Sequence, residues 1–357
     1  MECNESKLEI FRDNEIKEKT NEVKFDKLGE THYKLQIKET VYKLWNKRMM
    51  LSPKELKQSF KVTSISLVSH NLIIFGTNTG DIGIFNLTTK DTPQLVRAHY
   101  NDVTKLKMLP SGKVLMSIGL DMQIKLWSIN EETIGGPIRS FRGPILRINT
   151  IAIIGKGRNF VSGGDDGSVL VYECGSGEVI HKYNRINNLH DAVNSIVIRD
   201  EQSGEDEEYA DQYECQGKVM YVGYELGVIQ GYDLGKRYQI SSDKFITSSG
   251  VVDIILSDGY LVGGYKDGFI RIWDLQKHHL VKKIKIDETI AKVYQISPWK
   301  FIIYTGPDKV FAIKFDKDFN HDCETMIGMD ILSKLQDISH HHQDIFLVID
   351  GDLYNYR

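Results

Sequence analysis

The amino-acid sequence predicts an all-β propeller of seven blades, and three observations carry that expectation. A short unit recurs: Leu120–Trp127 (LDMQIKLW), Asp166–Tyr172 (DGSVLVY), Leu226–Tyr232 (LGVIQGY), Asp267–Trp273 (DGFIRIW) and Asp350–Tyr356 (DGDLYNY). A weaker copy stands at Thr79–Phe85 (TGDIGIF) and a degenerate one at Lys309–Phe315. In each copy a turn is followed by apolar residues at alternate positions, the pattern of a half-buried strand fed by a tight reversal. The closing aromatics Phe85, Trp127, Tyr172, Tyr232, Trp273, Phe315 and Tyr356 are separated by 42, 45, 60, 41, 42 and 41 residues.

A period of about 40–45 residues with four strands each is that of WD-repeat blades. Seven copies occupy residues 59–357, and residues 1–58 form a small N-terminal extension. One blade cannot bury both faces of its sheet, so neighbours must stack into one cooperative ring. Counted from Val62, the chain ends with the third strand of the seventh blade, which leaves an outer edge unpaired. The extension is the expected donor of the missing strand, from Thr31–Ile37 or from the region of Met49–Phe60. Truncation of either end is therefore expected to be costly. Within the extension, residues 1–22 read as a flexible arm. Val23–Leu28 and Thr31–Ile37 read as a hairpin, Val41–Met50 as either a short helix or a strand, and Ser52-Pro53 as a turn or helix start.

Composition bounds the function. Hydrophobic residues at 41% and charged residues at 26% suit a sheet-rich soluble protein. A net charge of −4 argues against nonspecific nucleic-acid binding. No apolar run is long enough to cross a bilayer, so no membrane partner is expected. The first residues, MECNESKLEIFRDNEIKEK, are polar and mixed in charge, unlike a secretory signal. Cys3, Cys174, Cys215 and Cys323 form no CxxC pair, which fits a reducing compartment without structural zinc. A monomer in the cytoplasm, and also the nucleus, is the expectation.

Blade 2 is the best-formed copy. His99, Ser117, Asp121 and Trp127 stand at the spacing where such repeats build a buried chain of hydrogen bonds, from indole to hydroxyl to imidazole to carboxylate. The same residue types could compose a hydrolase triad, but the spacing belongs to the repeat and Trp127 completes the structural network. The other blades carry partial sets. Blade 3 has Ser162 and Asp166 with Tyr172; blade 4 has His190 with Leu226 at the turn; blade 5 has Asp267 and Trp273; blade 7 has Asp350. Blade 6 is out of step by about one residue around Asp308.

The long interval before Tyr232 holds an insertion, Glu201–Glu214, with seven acids and no base. It reads either as a solvated loop or as an acidic contact for a basic partner. GxxxxGK[ST], HExxH and GxSxG motifs are absent from the sequence. Gly155–Arg158 reads as a turn between strands rather than a phosphate cradle. His340–His342 are consecutive strand residues whose side chains point to alternate faces, a poor arrangement for one metal. Neither a cofactor nor an enzymatic activity is expected.

Three stretches carry a family resemblance: Ala98–Ser128 (AHYNDVTKLKMLPSGKVLMSIGLDMQIKLWS), Tyr172–Arg185 (YECGSGEVIHKYNR) and His190–Ile196 (HDAVNSI). Gly157–Asn159 and the N-terminal Phe25–Ile37 (FDKLGETHYKLQI) add to it. Together they resemble the proteasomal ATPase-associated factor family, WD-repeat chaperones of proteasome regulatory-particle assembly. The resemblance implies a non-catalytic protein that binds the C-terminal domain of one base ATPase subunit, delays its docking on the core particle, and leaves the finished complex. Tyr172 departs from the family pattern, where Trp is usual. Candidate partner contacts lie beside the blade entrances or just before the turn acids: Tyr100, Asp102, Arg147, Asp165, Asp191 and Lys266. An acidic bias there would suit a basic ATPase domain. The alternative is a ubiquitin-ligase substrate adaptor. Against it, Trp273-Asp274-Leu275-Gln276 has Gln where such adaptors carry Arg, and Leu51–Leu56 leaves too little chain before blade 1 for F-box helices.

Overall fold

The computed structural model describes residues 23–27, 32–37, 40–45, 47–52, 59–69, 71–130, 133–185, 188–200, 214–240, 245–287, 289–306, 309–326, 334–341 and 344–356. Four strands precede the ring: β1 (Val23–Lys27), β2 (His32–Ile37), β3 (Thr40–Trp45) and β4 (Lys47–Leu51). Blade 1 comprises β5 (Val62–Ser69), β6 (Leu72–Thr77), β7 (Asp81–Asn86) and β8 (Leu95–Arg97). Blade 2 comprises β9 (Val103–Met108), β10 (Val114–Gly119), β11 (Gln123–Asn130) and β12 (Thr133–Arg142). Blade 3 follows with β13 (Ile148–Ile154), β14 (Asn159–Gly164), β15 (Ser168–Glu173) and β16 (Val179–Asn184). Blade 4 has β17 (Val193–Asp200), β18 (Lys218–Tyr224), β19 (Ile229–Asp233) and β20 (Tyr238–Gln239). Blade 5 has β21 (Val251–Ser257), β22 (Tyr260–Tyr265), β23 (Phe269–Asp274) and β24 (His279–Lys285). Blade 6 has β25 (Ile290–Ser297), β26 (Lys300–Thr305), β27 (Lys309–Phe315) and β28 (His321–Met326). Blade 7 has β29 (Leu335–His341), β30 (Asp344–Ile349) and β31 (Asp352–Tyr356). The chain is thus a seven-bladed WD-repeat propeller.

Blade 7 takes its outer strand from the other end of the sequence. β4 runs antiparallel to β31, with Leu51 opposite Leu353 and Lys47 opposite Tyr356. Thr31–Ile37 was the other segment expected to close the ring, and it does not. β1, β2 and β3 form an antiparallel meander that joins β28 in parallel, Leu44 opposite Thr325, and so widens blade 6 to seven strands. Val41–Met50, readable as helix or strand, falls in β3 and β4. The hairpin with β2 gives its Val, Tyr and Trp a strand partner, which settles the ambiguity that a short apolar run leaves open. The arm at residues 1–22, the Pro53 turn, Asp308 and residues 201–213 of the acidic insertion lie outside the described residues.

The period in the sequence has a packing cause. Seven apolar clusters fill the seven seams between neighbouring blades. Each closing aromatic sits in the cluster shared with the preceding blade: Trp127 against blade 1, Tyr172 against blade 2, Tyr232 against blade 3, Trp273 against blade 4. Tyr356 packs on blade 6 and Phe85 on blade 7. Blade 6 needs a correction. The register of β26 and β27 pairs Ile313 with Phe301, the place that Trp273 holds opposite Leu261 in blade 5. Ile313, fully buried, therefore closes blade 6, and Phe315 lies two residues further along.

Polar side chains of the innermost strands stitch the seams beside the axis. Thr63 Oγ1 donates to the Val103 carbonyl at 2.6 Å, Asn149 Nδ2 to Val193 at 3.1 Å, and Asn194 Nδ2 to Val251 at 2.8 Å. One residue further along, Ser195 Oγ accepts from the Ile254 amide at 3.2 Å and Asp337 Oδ2 from the Ile65 amide at 3.0 Å. Asp253 accepts likewise from Val293. Each bond runs from one blade to the next, which satisfies backbone groups that the blade's own ladder leaves over.

Lys105, at the corresponding place on β9, is enclosed by protein although solvent still reaches it. Burial, with Lys292 adding repulsion, pushes its ammonium down from 10.5 to about 8. The unfolded chain then binds the proton more tightly than the folded one, so stability rises with pH between about 8 and 10.5. Lys105→Met is expected to stabilise the protein at pH 7 by about 1–2 kcal/mol, a figure reduced for solvent in the channel. Urea denaturation should show that gain shrinking as pH rises past 8.

Candidate functional site: the turn face of blades 2 to 5

In blades 2 to 5 the turn between the second and third strands and the loop entering the first strand emerge at the same end. Backbone bonds tie them: Leu120 to the Asp102 carbonyl, Asp165 to Arg147, Glu225 to Ala192 and Lys266 to Gly250, all at 2.9–3.0 Å. The residues singled out from the sequence fall in or beside these ties.

Blade 2 holds its four-residue chain together. Trp127 Nε1 donates to Ser117 Oγ at 2.9 Å, Ser117 Oγ meets His99 Nε2 at 2.7 Å, and His99 Nδ1 meets Asp121 Oδ1 at 2.9 Å. Burial lowers the His99 pKa below 6.5 despite the Asp121 carboxylate, so the imidazole is neutral near pH 7 with its proton on Nδ1. Asp121 Oδ2 also accepts the Tyr100 amide at 3.2 Å, which pins the incoming loop to the turn. The chain consumes every reactive atom in internal bonds, so it orders the turn and presents no free nucleophile.

The other blades reach the same end by different chemistry. In blade 3, Ser162 Oγ donates to Tyr172 Oη at 3.2 Å, and Tyr172 Oη to the Arg142 carbonyl at 2.9 Å. Asp166 accepts the Ile145 amide at 3.0 Å, and Asp350 accepts the Lys334 amide at 2.9 Å, as Asp121 does for Tyr100. Blade 4 reverses the arrangement. The acid is Asp191, on the incoming loop, and it accepts the Leu226 amide of the turn at 3.0 Å. His190, the residue expected to hold the imidazole position, is exposed; Asp191 is buried and paired with Arg185. Burial still raises the Asp191 pKa, outweighing the Leu226 amide and Arg185. Asp191 is therefore a brace of the loop and is not available as a partner contact.

Blades 4 and 5 replace the missing histidine with tyrosine from the end of the second strand. Tyr224 Oη bonds Tyr232 Oη at 2.8 Å, and Trp273 Nε1 donates to Tyr265 Oη at 3.1 Å. A steric exchange explains the swap. In blade 2 the equivalent position is Gly119, where a Cβ would stand 2.5 Å from both His99 Nδ1 and Asp121 Oδ1. Where the histidine is absent, tyrosine can occupy that position and grow into its space. In blade 5 the serine position has become Gly263, whose Cβ would meet the Tyr265 ring at 2.8 Å. Arg271 then stacks 4.3 Å from the Tyr265 ring centre and clasps Asp267 with bonds of 3.0 and 2.5 Å.

These bonds leave a row of apolar side chains on the outward surface, interspersed with charged ones. Tyr100 is 76% exposed and Ile145 79%. Leu120 and Met122 stand beside Tyr100 on the blade 2 turn, Leu146 beside Ile145, Leu189 and Leu226 over blade 4, and Ile246 at its rim toward blade 5; all are exposed. The expected acidic bias is weaker than the sequence suggested, because the acids are taken up internally. Glu225 is paired with Lys266, Asp267 with Arg271, Asp191 with Arg185, and Asp165 accepts Asn149 Nδ2. Of the candidate contacts, Tyr100, Arg147, Asp165 and Lys266 are exposed and Asp102 is half-buried. Tyr100 apart, the apolar loop residues were missed in the sequence because they share no period; their only signal is an aliphatic residue within an otherwise polar turn.

Away from this face, Gly155–Arg158 is a turn whose Lys156 amide donates to Glu214 Oε2 at 2.8 Å. His340 packs edge-on against Tyr294, ring centres 5.6 Å apart. Among the described residues, no three His, Cys, Asp or Glu side chains converge as a metal site.

Comparison with known proteins agrees with this architecture. The family described as WD domain, G-beta repeat matches residues 91–128 and 135–173. The 26S proteasome regulatory subunit RPN14 of Saccharomyces cerevisiae is 30% identical over 262 residues, which cover 71% of this chain and 62% of the yeast protein. Methylosome protein WDR77 of Xenopus laevis is 23% identical over 117 residues, 31% of this chain and 34% of the frog protein. Autophagy-related protein 16 of Arabidopsis thaliana is 20% identical over 232 residues, 65% of this chain and 42% of the plant protein. The matched region thus spans less than two thirds of each relative. By blade structure and by sequence, this chain is a WD-repeat protein related to a yeast 26S proteasome regulatory subunit.

Proposed function

We propose that this protein is a non-catalytic assembly chaperone of the proteasome regulatory particle. It grips the C-terminal domain of one base ATPase subunit with the turn face of blades 2 to 5 and sterically blocks premature docking on the core particle. The observation that carries this reading is the exposed apolar surface from Tyr100 and Ile145 across to Leu226, set on turns braced from below. Several large apolar side chains exposed on one face, among charged ones, are the usual mark of a protein-binding surface. The relatedness to a proteasome regulatory subunit supports the choice of partner. On this reading the protein works in the cytoplasm, and also in the nucleus.

The test uses the purified full chain and the isolated C-terminal domains of the base ATPases. One domain is expected to bind. Tyr100→Asp combined with Ile145→Asp should weaken it at least 100-fold, since two desolvated anchors of about 2 kcal/mol each are lost. The melting temperature should hold, because both side chains project into solvent. Ile138→Asp, on the outer strand of blade 2, serves as the exposed control. If no ATPase domain binds, or the double variant binds like the wild type, the reading fails; capture of a cullin would favour the ligase adaptor.

A further inference from the structure

The turn between the second and third strands ends on glycine in blades 1, 3, 4 and 5. Gly80, Gly167, Gly227 and Gly268 stand at φ +90°, +77°, +87° and +76°. The amide of each donates to the carbonyl three residues back, at 3.0–3.3 Å. Blade 2 closes the same turn, the Met122 amide on the Gly119 carbonyl at 3.2 Å, with a methionine at φ +61°. Glycine enters this left-handed region freely, whereas a Cβ crowds the backbone there. In the other blades the loop entering the next blade also leaves no room for a side chain. An added Cβ would stand 2.3 Å from the His99 carbonyl oxygen at Gly80, 2.6 Å from that of Leu189 at Gly167, and 2.5 Å from those of Thr247 and Ser249 at Gly227. Over blade 2 the loop begins Gly143-Pro144, its Gly143 amide on the Met122 carbonyl at 2.9 Å, and the methionine side chain has its place. That side chain adds little to the core, since Met122 is 43% exposed. The turn is held against the strain from below: Asp121 bonds His99 and accepts the Tyr100 and Gln123 amides.

We infer that Met122 is a dedicated anchor of the turn face, and that its thioether side chain enters an apolar recess of the bound ATPase domain. An apolar residue kept exposed, at a backbone angle the other blades give to glycine, serves what it meets outside the chain. Tyr100 and Leu120 flank it on blade 2, and Ile145 follows two residues after Gly143 on the loop into blade 3. An unbranched thioether adapts to an irregular apolar surface. A backbone already fixed by the turn has little freedom left to lose on binding. This inference rests on the chaperone reading and names the residue through which blade 2 takes part in it.

Met122→Gly in the full chain tests this, because it should move two readings in opposite directions. Relief of the left-handed strain should raise the melting temperature by about 1–2 °C. Affinity for the isolated base ATPase C-terminal domain that binds the wild type should fall about tenfold or more, measured by isothermal titration calorimetry. Met122→Leu keeps an apolar side chain at the same angle, so it should bind within about threefold of the wild type and melt no higher. A methionine kept for the fold alone would give the reverse for Met122→Gly, a lower melting temperature and unchanged affinity. If Met122→Gly binds like the wild type or melts lower, or if Met122→Leu binds no better than Met122→Gly, this inference fails while the chaperone reading stands. If no ATPase domain binds the wild type, both fail.

Discussion

Deletion of residues 1–51 is expected to abolish the single cooperative unfolding transition. Deletion of residues 1–46, which spares β4, should lower its midpoint while keeping it. The difference lies in the seam between blades 7 and 1. β4 covers the outer edge of β31, and Leu51, only 3% exposed, sits in a cluster with Phe60, Val62, Phe75, Phe346 and Leu353. Ser52 Oγ adds a bond to Asp352 at 2.9 Å. Leu51→Ala by itself should cost about 2–5 kcal/mol, the range for emptying a buried leucine site. The full deletion also strips the ladder from β31 and exposes an unpaired edge. A stacked ring with one weak seam has a place to open, and neighbouring blades lose their mutual cover in turn. Urea denaturation followed by circular dichroism would show a reduced m-value for the longer deletion. If that variant unfolds as sharply as the intact chain, the seam is not what closes the ring.

Trp127→Ala is expected to cost about 3–5 kcal/mol, among the largest effects of any single substitution. The indole is 2% exposed and fills the seam with blade 1, so its removal leaves a cavity beside Val103, Leu115 and Ile82. It also takes the donor from Ser117, which stays buried next to His99. Trp127→Phe separates the two losses: it retains most of the packing and should cost about 1–2 kcal/mol through the lost indole–hydroxyl bond, while Ser117 keeps its bond to His99. Because His99→Ala acts on the same serine, its cost and that of Trp127→Phe should add to more than the double variant shows. Equilibrium denaturation of the three variants gives the coupling directly. Additive costs would mean that the four residues pack side by side without acting as a chain.

The ring was legible because its seams repeat. An aromatic that must reach the preceding blade has to stand at a fixed register from the turn, so Trp127, Tyr172, Tyr232 and Trp273 recur at nearly constant intervals. Where that register shifts, the reading slipped: Phe315 is the aromatic in blade 6, but Ile313 holds the position. The blade 2 chain was legible for the same reason, since its four members are tied to the repeat. The tyrosines of blades 4 and 5 were not. Tyr224 and Tyr265 act from the position that Gly119 holds in blade 2, and only the reach of a side chain through space joins them to Tyr232 and Trp273. His190 misled because exposure, which decides its role, leaves no mark in the letters HDAVNSI. The outward surface was hidden by distance along the chain, as Tyr100, Ile145 and Leu226 lie in separate loops that only the stacking of blades 2 to 4 brings to one face.

The seam at β4 also sets a timetable for biosynthesis. Leu51 and its mate Leu353 are roughly 300 residues apart, and translation at about 5–20 residues per second separates their appearance by about 15–60 s. Throughout that interval the early strand has no mate, and earlier blades present an uncovered apolar flank. Closure must await the seventh blade, which makes the nascent polypeptide a natural client for holding factors and a candidate for swapping its first strand with another copy.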